Sequence, residues 1–130
     1  MMLQYEELKQ ALQELEPQLQ DLSEALGLDG LRKEIAELDQ KAAAPDFWND
    51  MEKSQKILQR SSSLKNKIEG YEKLKSAYGD LTALIELADE GNDLSLLPQA
   101  QEEFDRFKRS LETQRLATLL TGEYDAKNAI

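Results

Sequence analysis

Four cations stand at helical spacing in the middle of the chain and could bind phosphate groups. Their steps of three, four and seven residues place them on one side of a single helix, and they form a basic stripe of Lys53, Lys56, Arg60 and Lys67. A row of cations binds nucleic-acid phosphates with an affinity that falls as salt rises. The alternative is structural: the aliphatic stems cover the edge of a core, beside Ile57 and Leu64, and the charged heads pair with acids of neighbouring segments.

Carboxylates are abundant, and we expect them to be solvated rather than catalytic. Adjacent pairs occur in segments with helical patterning, at 6–7, 89–90 and 102–103. A catalytic pair needs a cleft that separates two pKa values, which a helix face in water does not provide. The stretch 89–93, Asp-Glu-Gly-Asn-Asp, lacks the alternating ligands and the final glutamate of a calcium-binding EF-hand loop. We therefore predict no catalytic residue and no metal site.

The composition excludes most enzyme classes. The 130 residues carry a net charge of −10 and include neither cysteine nor histidine, so disulfides, thiolate chemistry and the usual neutral-pH acid–base group are absent. No phosphate-binding glycine loop or nucleophile elbow occurs. No apolar run approaches the ~20 residues that a bilayer requires, and the acidic, amphipathic start is unlike a signal peptide. We expect a cytoplasmic protein without cofactor, membrane or small-molecule substrate.

The charge is distributed unevenly along the chain. Residues 46–75 hold seven bases against five acids, whereas residues 3–43 hold four against ten and residues 80–130 hold five against eleven. The basic stripe thus lies in a mildly basic band between two acidic arms. The charge of the whole chain still opposes broad nucleic-acid binding.

The elements that position these residues are predicted to be helices. Between Leu8 and Leu26, six leucines step alternately by four and three residues, which is the heptad seam of one helix from about Leu3 to Leu26. Pro17 should bend this helix on its wet side, and Gly27 should end it. The seam is either the core of a bundle or an interface through which an isolated fragment self-associates.

A second helix and a turn follow this first segment. The helix is predicted from about Gly30 to Ala43, with Asp29 as its N-cap, and Ala44-Pro45 closes it because the residue before proline disfavours helix. The turn spans 46–50, where Asp46 or Asn49 caps the next helix. Its two aromatic residues, Phe47 and Trp48, either pack into the core or anchor a binding partner.

The longest helix should run from about Asp50 to Glu90, since helical spacing continues there without a proline. Such a helix is roughly 60 Å long at about 1.5 Å per residue, and it carries the basic stripe. Gly70 and Gly79 each cost about 1 kcal/mol relative to alanine, so they mark a bend or a close helix crossing. The three serines at 61–63 are a further weak point.

A fourth helix is predicted after a loop at 90–93, with Ser95 as its N-cap and Pro98 in its first turn. Because the loop is short, this helix should fold back antiparallel on the C-terminal half of the long helix, its far half. The N-terminal half, its near half, then remains for the first two segments. The predicted fold is all-α: an elongated bundle of about four helices with one long central helix and coiled-coil-like packing.

Two short motifs resemble bacterial class I peptide chain release factors. The tail, Leu119-Leu-Thr-Gly-Glu-Tyr-Asp125 followed by Asn128-Ala-Ile130, resembles the segment in which these factors leave their N-terminal helical domain. Upstream, Ala44-Pro-Asp-Phe-Trp-Asn-Asp50 resembles the Pro-x-x-Trp turn before the long helix of that domain. The likeness is greatest to the member that reads UGA and UAA. We expect residues 1–118 to form the helical N-terminal domain and residues 119–130 to begin a following, truncated domain.

The resemblance implies a role in translation termination. The member that reads UGA and UAA acts on the ribosome at those stop codons and promotes peptidyl-tRNA hydrolysis; it reads the codon with a Ser-Pro-Phe tripeptide and directs water to the ester with a Gly-Gly-Gln loop. Neither tripeptide occurs in residues 1–130, so no catalytic residue carries over to this chain. The implied role of the helical domain is docking near the stalk base of the large ribosomal subunit, with coupling to the class II release-factor GTPase.

The basic stripe is then a candidate contact for ribosomal RNA. A free-standing coiled-coil adaptor that joins proteins is the alternative function, because heptads and acidic charge alone support it equally well.

Overall fold

Every secondary-structure element in the described part of the chain, residues 2–120, is helical in the computed structural model. The elements are α1 (Leu3–Leu26), α2 (Leu28–Ala42), a 3-10 turn (Phe47–Asn49), α3 (Met51–Glu90), a second 3-10 turn (Leu94–Leu96) and α4 (Leu97–Leu120). With 40 residues, α3 is the longest. The all-α prediction with a long central helix is confirmed.

Helix α1 has the predicted bounds, and Pro17 lies on an exposed face within the unbroken helix. Gly27 ends α1 in the left-handed conformation, φ +62°, and its N–H donates to the carbonyls of the last turn. The Gly27 carbonyl accepts from Leu31 N and so opens α2. Asp29 therefore lies inside the first turn of α2, and its predicted role as N-cap is wrong.

The leucine seam of α1 forms the core of a three-helix bundle with α3 and α4. Its leucines from Leu8 to Leu22 are buried in one cluster. The cluster also contains the inward-facing side chains of the far half of α3 and of α4, which are Tyr71, Leu74, Leu81, Ile85, Ala88, Ala100, Phe107 and Leu111. A separate contact joins α2 to the near half of α3, where Leu31 and Leu64 are buried.

Helices α1 and α2 lie one after the other along α3, both antiparallel to it. At the start of α1 the Tyr5 hydroxyl donates to the carbonyl of Asp93, and further along α2 Lys65 of α3 reaches Asp39 at 3.4 Å. Residues later in the α1–α2 segment therefore contact α3 closer to its N-terminus. The expectation that both segments pack on the near half is wrong for α1, because the Gly27 junction continues the direction of α1 instead of reversing it.

Helix α4 packs antiparallel on the far half of α3, as predicted. The rings of Tyr78 and Phe107 lie 5.9 Å apart across this contact. Asp93, not Ser95, caps the preceding 3-10 turn, since its carboxylate accepts from the Ser95 N–H at 2.9 Å. Helix α4 starts two residues later, at Leu97, with Pro98 in its first turn. The predicted boundary after residue 118 falls in the last turn of α4, and most of the segment predicted to begin a following domain, residues 121–130, lies outside the described residues.

Gly70 lies at a close contact between α3 and α4. The Gln114 amide donates to the Gly70 carbonyl at 3.1 Å, and a Cβ at Gly70 would lie 3.0 Å from Gln114 Oε1. A Cβ at Gly79 would meet nothing within 4 Å. The crossing prediction is thus confirmed for Gly70 alone. At 61–63 the helix is continuous, and the buried Ser61 donates to Asp39 of α2.

Candidate nucleic-acid interface

The near half of α3 positions the basic stripe. Hydrogen bonds from the capping residue and from the preceding turn fix where this half begins. Asp50, not Asp46 or Asn49, is the N-cap, because its extended backbone lets the carboxylate accept from Lys53 N at 3.2 Å. The hydroxyl of the buried Ser54 donates to the carbonyls of Asp50, at 2.8 Å, and of Phe47. These bonds hold the preceding turn against the first turn of α3.

Lys53 and Lys56 form the outer part of the stripe, and both side chains are exposed. Lys56 Nζ lies 3.8 Å from Glu52, one turn earlier, but the two side chains are 76% and 85% exposed. An ion pair so open to water contributes little. Both ammonium groups can therefore reach an external anion at small cost.

Arg60 belongs to the inner part of the stripe and is engaged by α2. Its Nε and Nη2 donate to the Glu34 carboxylate at 2.8 and 3.3 Å. The hydrogen bond from Arg60 holds the pKa of Glu34 below its usual range, with added contributions from the charges of Arg60 and Lys67. For Arg60 the structural alternative applies, since its charge serves to join α2 to α3.

Two further ion pairs join α2 to α3, and sequence reasoning did not identify them. Arg32 Nη2 lies 3.0 Å from Glu72, and Lys65 Nζ lies 3.4 Å from Asp39. All four side chains are about half exposed. The i,i+3 and i,i+4 spacing of helix patterns gave no signal for these pairs, because each one connects residues that lie far apart in the chain.

Phe47 and Trp48 have opposite environments although they are adjacent. Phe47 is buried, whereas Trp48 is 56% exposed. Their rings meet edge to face with centroids 4.9 Å apart. The packing alternative thus holds for Phe47, and the binding of a partner by Trp48 stays a prediction.

A groove with both polar and apolar residues in its lining adjoins the stripe on the side away from α2. It encloses about 540 Å³ between the near half of α3 and the last turns of α1 and α4. Lys67 is common to the stripe and to the groove. The other polar residues that line the groove are Gln59, Ser62, Ser63, Asn66, Gln114 and Thr118. The sequence pattern did not reveal this groove, because it exists only where α4 crosses α3.

The carboxylates have structural partners or face water. Glu6 and Glu7 are exposed, and Asp89 accepts from the Met2 backbone N–H at 2.7 Å. Hydrogen bonds from the Ser95 hydroxyl and N–H hold the pKa of Asp93 below its usual range. Within residues 2–120, no group of three or more Asp, Glu, His or Cys residues is arranged to hold a metal ion.

The chemical groups gathered on this side of α3 are ammonium and guanidinium cations, hydroxyls and amides. Such groups bind phosphate and sugar oxygens, so the arrangement suits the binding of a polyanion. Among the helices of the described range, none is both long and apolar enough to cross a membrane.

Comparison with known proteins identifies relatives across almost the whole chain. The family model described as the PCRF domain matches residues 31–130. Peptide chain release factor 2 of Streptomyces avermitilis is 35% identical over 124 residues, which is 95% of this chain and 34% of that relative. The same-named protein of Kineococcus radiotolerans is 38% identical over 109 residues, which is 84% of this chain and 30% of that relative.

A third relative extends the match nearly from end to end. Peptide chain release factor 2 of Staphylococcus epidermidis is 33% identical over 128 residues, which is 98% of this chain and 34% of that relative. This chain thus spans about a third of the length of the curated relatives that it matches. The resemblance carried by the tail and by the turn at 45–48 is confirmed, and the chain belongs to the PCRF domain family of peptide chain release factors.

Proposed function

We propose that this chain is the non-catalytic docking domain of a translation termination factor. The observation that carries the proposal is the PCRF domain match together with relatives named peptide chain release factor 2. The fold supports it, because α1 and α4 pack on the far half of α3 and leave the stripe side of its near half accessible. The domain would place the rest of the factor on the ribosome and perform no chemistry itself.

The activity of the complete factor forms part of the same proposal. It recognises UGA and UAA stop codons in the cytoplasm and promotes ribosome-dependent hydrolysis of peptidyl-tRNA through segments beyond residue 130. The docking domain contacts the large subunit near its stalk base and cooperates with the class II release-factor GTPase. Within the basic stripe, Lys53, Lys56 and Lys67 supply contacts to ribosomal RNA, with the two exposed lysines as principal members, while Arg60 stays paired with Glu34.

A double charge reversal of the two exposed lysines tests the docking role. Lys53→Glu with Lys56→Glu should weaken sedimentation of the chain with purified 70S ribosomes. If both lysines meet phosphates, the slope of log affinity against log salt should also fall by about 2, or about 1 per contact. Arg60 is left unchanged, because a glutamate there would face Glu34 and damage the contact between α2 and α3.

The control places the same charge change on the far half of α3. Lys73→Glu with Lys75→Glu replaces two exposed lysines, and Lys73 pairs with a glutamate four residues earlier as Lys56 does. Helicity measured by circular dichroism should be the same for both double variants. If the two variants bind ribosomes equally well, the stripe does not contact RNA; if the native chain does not bind ribosomes, the docking role itself is wrong.

A second measurement concerns catalysis. The native chain should release no peptide from ribosomes stalled at UGA or UAA. Stop-codon-dependent hydrolysis by residues 1–130 alone would contradict the assignment of a docking role.

A further inference from the structure

The buried apolar side chains are divided very unevenly between the two ends of α3. Of the 17 buried hydrophobic residues in the described part of the chain, 14 belong to the cluster formed by α1, α4 and the far half of α3, which we call the core. The other three lie in α2, in the turn after it and in the near half of α3; they are Leu31, Phe47 and Leu64. We call this second region, residues 29–69, the arm.

The contact that closes the arm is mostly polar and well hydrated. The side chains of the ion pairs described above between α2 and α3 are 39% to 54% exposed, and ion pairs so open to water contribute little. Ser54 and Ser61 are the buried polar residues of the described range, and both lie in the arm. A buried serine removes less apolar surface from water than a leucine does. The arm is therefore held closed by fewer apolar contacts than the core.

The two ends of the arm coincide with the edges of the core. At one end Gly27 stops α1 in the left-handed conformation, so the helical hydrogen bonds of α1 do not continue into α2. At the other end Gly70 is held by the 3.1 Å hydrogen bond from Gln114 of α4, and glycine weakens a helix at that point. Tyr71, the next residue, is the first residue of α3 in the core.

The last turns of α1 and α4 do not close over the arm. The groove of about 540 Å³ lies between them and the near half of α3. The near half therefore depends on α2 for its packing. Because most helical stability in proteins comes from tertiary packing, the near half should lose its helix when α2 leaves it. Opening of α2 and of the near half is then one event.

We infer that the arm opens and closes as a unit of its own while the core stays folded. The inference does not depend on the proposed docking function. It reverses the common order of fraying, in which the chain ends are least stable, because α1 and α4 belong to the core and the internal residues 29–69 open first. Lys53 and Lys56 lie on the arm, so the surface assigned to docking is part of the region that rearranges. A partner that binds only the closed arm would suppress its opening.

Native-state hydrogen exchange of the chain, followed for single amides by NMR, measures this opening. Leu64 and Leu111 form a matched pair, because both lie inside helices and both side chains are 0% exposed. Burial alone predicts similar protection factors for their amides. Separate opening predicts a protection factor at Leu64 at least about tenfold lower, since local openings require less free energy than global unfolding. Equal protection of the two amides overturns the inference.

A mild core substitution shows whether the arm opens independently. Ile85 is 1% exposed and belongs to the core, and Ile85→Val should lower the protection of the Leu111 amide about fivefold. Protection at Leu64 should not change, because a core substitution destabilises the closed state and the open-arm state equally. A fall of the same size at both amides would mean that arm and core unfold together, and it would overturn the inference.

Low concentrations of urea give an independent measurement on the native chain. The effect of urea on an opening scales with the surface that the opening exposes. The arm holds only about a third of the described residues, and it buries fewer apolar side chains than the core. Protection at Leu64 should therefore fall much less steeply with urea than protection at Leu111. The same dependence at both amides would show one global transition and contradict a separate arm.

Discussion

The two glycines inside α3 are expected to respond differently to the same replacement by alanine. Alanine is favoured over glycine within a helix by about 1 kcal/mol. A Cβ at Gly79 would meet nothing within 4 Å, and the position is exposed. Gly79→Ala should therefore raise the free energy of unfolding by about 1 kcal/mol, the full difference in helix propensity.

At Gly70 the same gain is opposed by a tertiary contact. The new Cβ would lie 3.0 Å from Gln114 Oε1, which is too close, and the Gln114 side chain must move. Because the obstacle is the end of a flexible side chain, the backbones need not separate. The movement breaks the 3.1 Å hydrogen bond from Gln114 to the Gly70 carbonyl, a loss of about 1 kcal/mol. Gly70→Ala should therefore leave stability nearly unchanged.

Urea unfolding followed by circular dichroism at 222 nm measures both variants. A third and a fourth chain complete the test: Gln114→Ala alone, and Gln114→Ala combined with Gly70→Ala. Once the side chain at 114 is gone, Gly70→Ala should stabilise by about 1 kcal/mol, as at Gly79. The dependence of unfolding free energy on urea should be the same in all variants, because the surface exposed on unfolding hardly changes.

One result would refute this reasoning about the crossing. If Gly70→Ala stabilises the native background as much as Gly79→Ala does, the Cβ meets no obstacle at Gly70. Helix α4 would then lie farther from α3 than the structure has it.

Two further predictions concern the core and the contact between α2 and α3. Leu111→Ala removes a side chain with 0% exposure from the three-helix core and should lower the free energy of unfolding by about 2–5 kcal/mol. The control is Leu116→Ala, because Leu116 is 59% exposed. It should change the free energy of unfolding by less than about 0.5 kcal/mol in the same urea titration. Arg60 lowers the pKa of Glu34 in the folded state from its ordinary value of 4.5. The ion pair therefore stabilises the fold above about pH 4.5, and this stabilisation is lost as the pH falls through the lower pKa of the folded state. Glu34→Gln should therefore lower the free energy of unfolding by about 0.5 kcal/mol at pH 7, a small value because both side chains are well hydrated. If the variant is still less stable than the native chain below the folded pKa of Glu34, the ion pair is not the cause of the difference.

Sequence patterns predicted the helices well because the signals for helices are local. The leucine seam placed α1 at its observed bounds, and Gly27 marks its end since a left-handed residue there favours glycine. The spacing of the basic stripe correctly placed all four cations on α3. Even so, local signals did not separate close alternatives at helix starts, where Asp50 and Asp93 proved to be the caps in place of their neighbours.

The candidate site depended on contacts that no local pattern encodes. A cation of the stripe can bind an RNA or pair with a carboxylate of the protein, depending on which helix lies beside it. Only the packing of α2 against α3 brings Glu34 next to Arg60. The same holds for Phe47 and Trp48, adjacent in sequence and opposite in burial.

The sequence by itself determined the helical class, the length of α3 and the family, because periodicity and short motifs are properties of neighbouring residues. The tertiary structure decided that α1 covers the far half of α3 and that α4 crosses α3 at Gly70. It also decided that a groove opens beside the stripe. The physical reason is that a helix pattern specifies which face is apolar but not which other apolar face covers it.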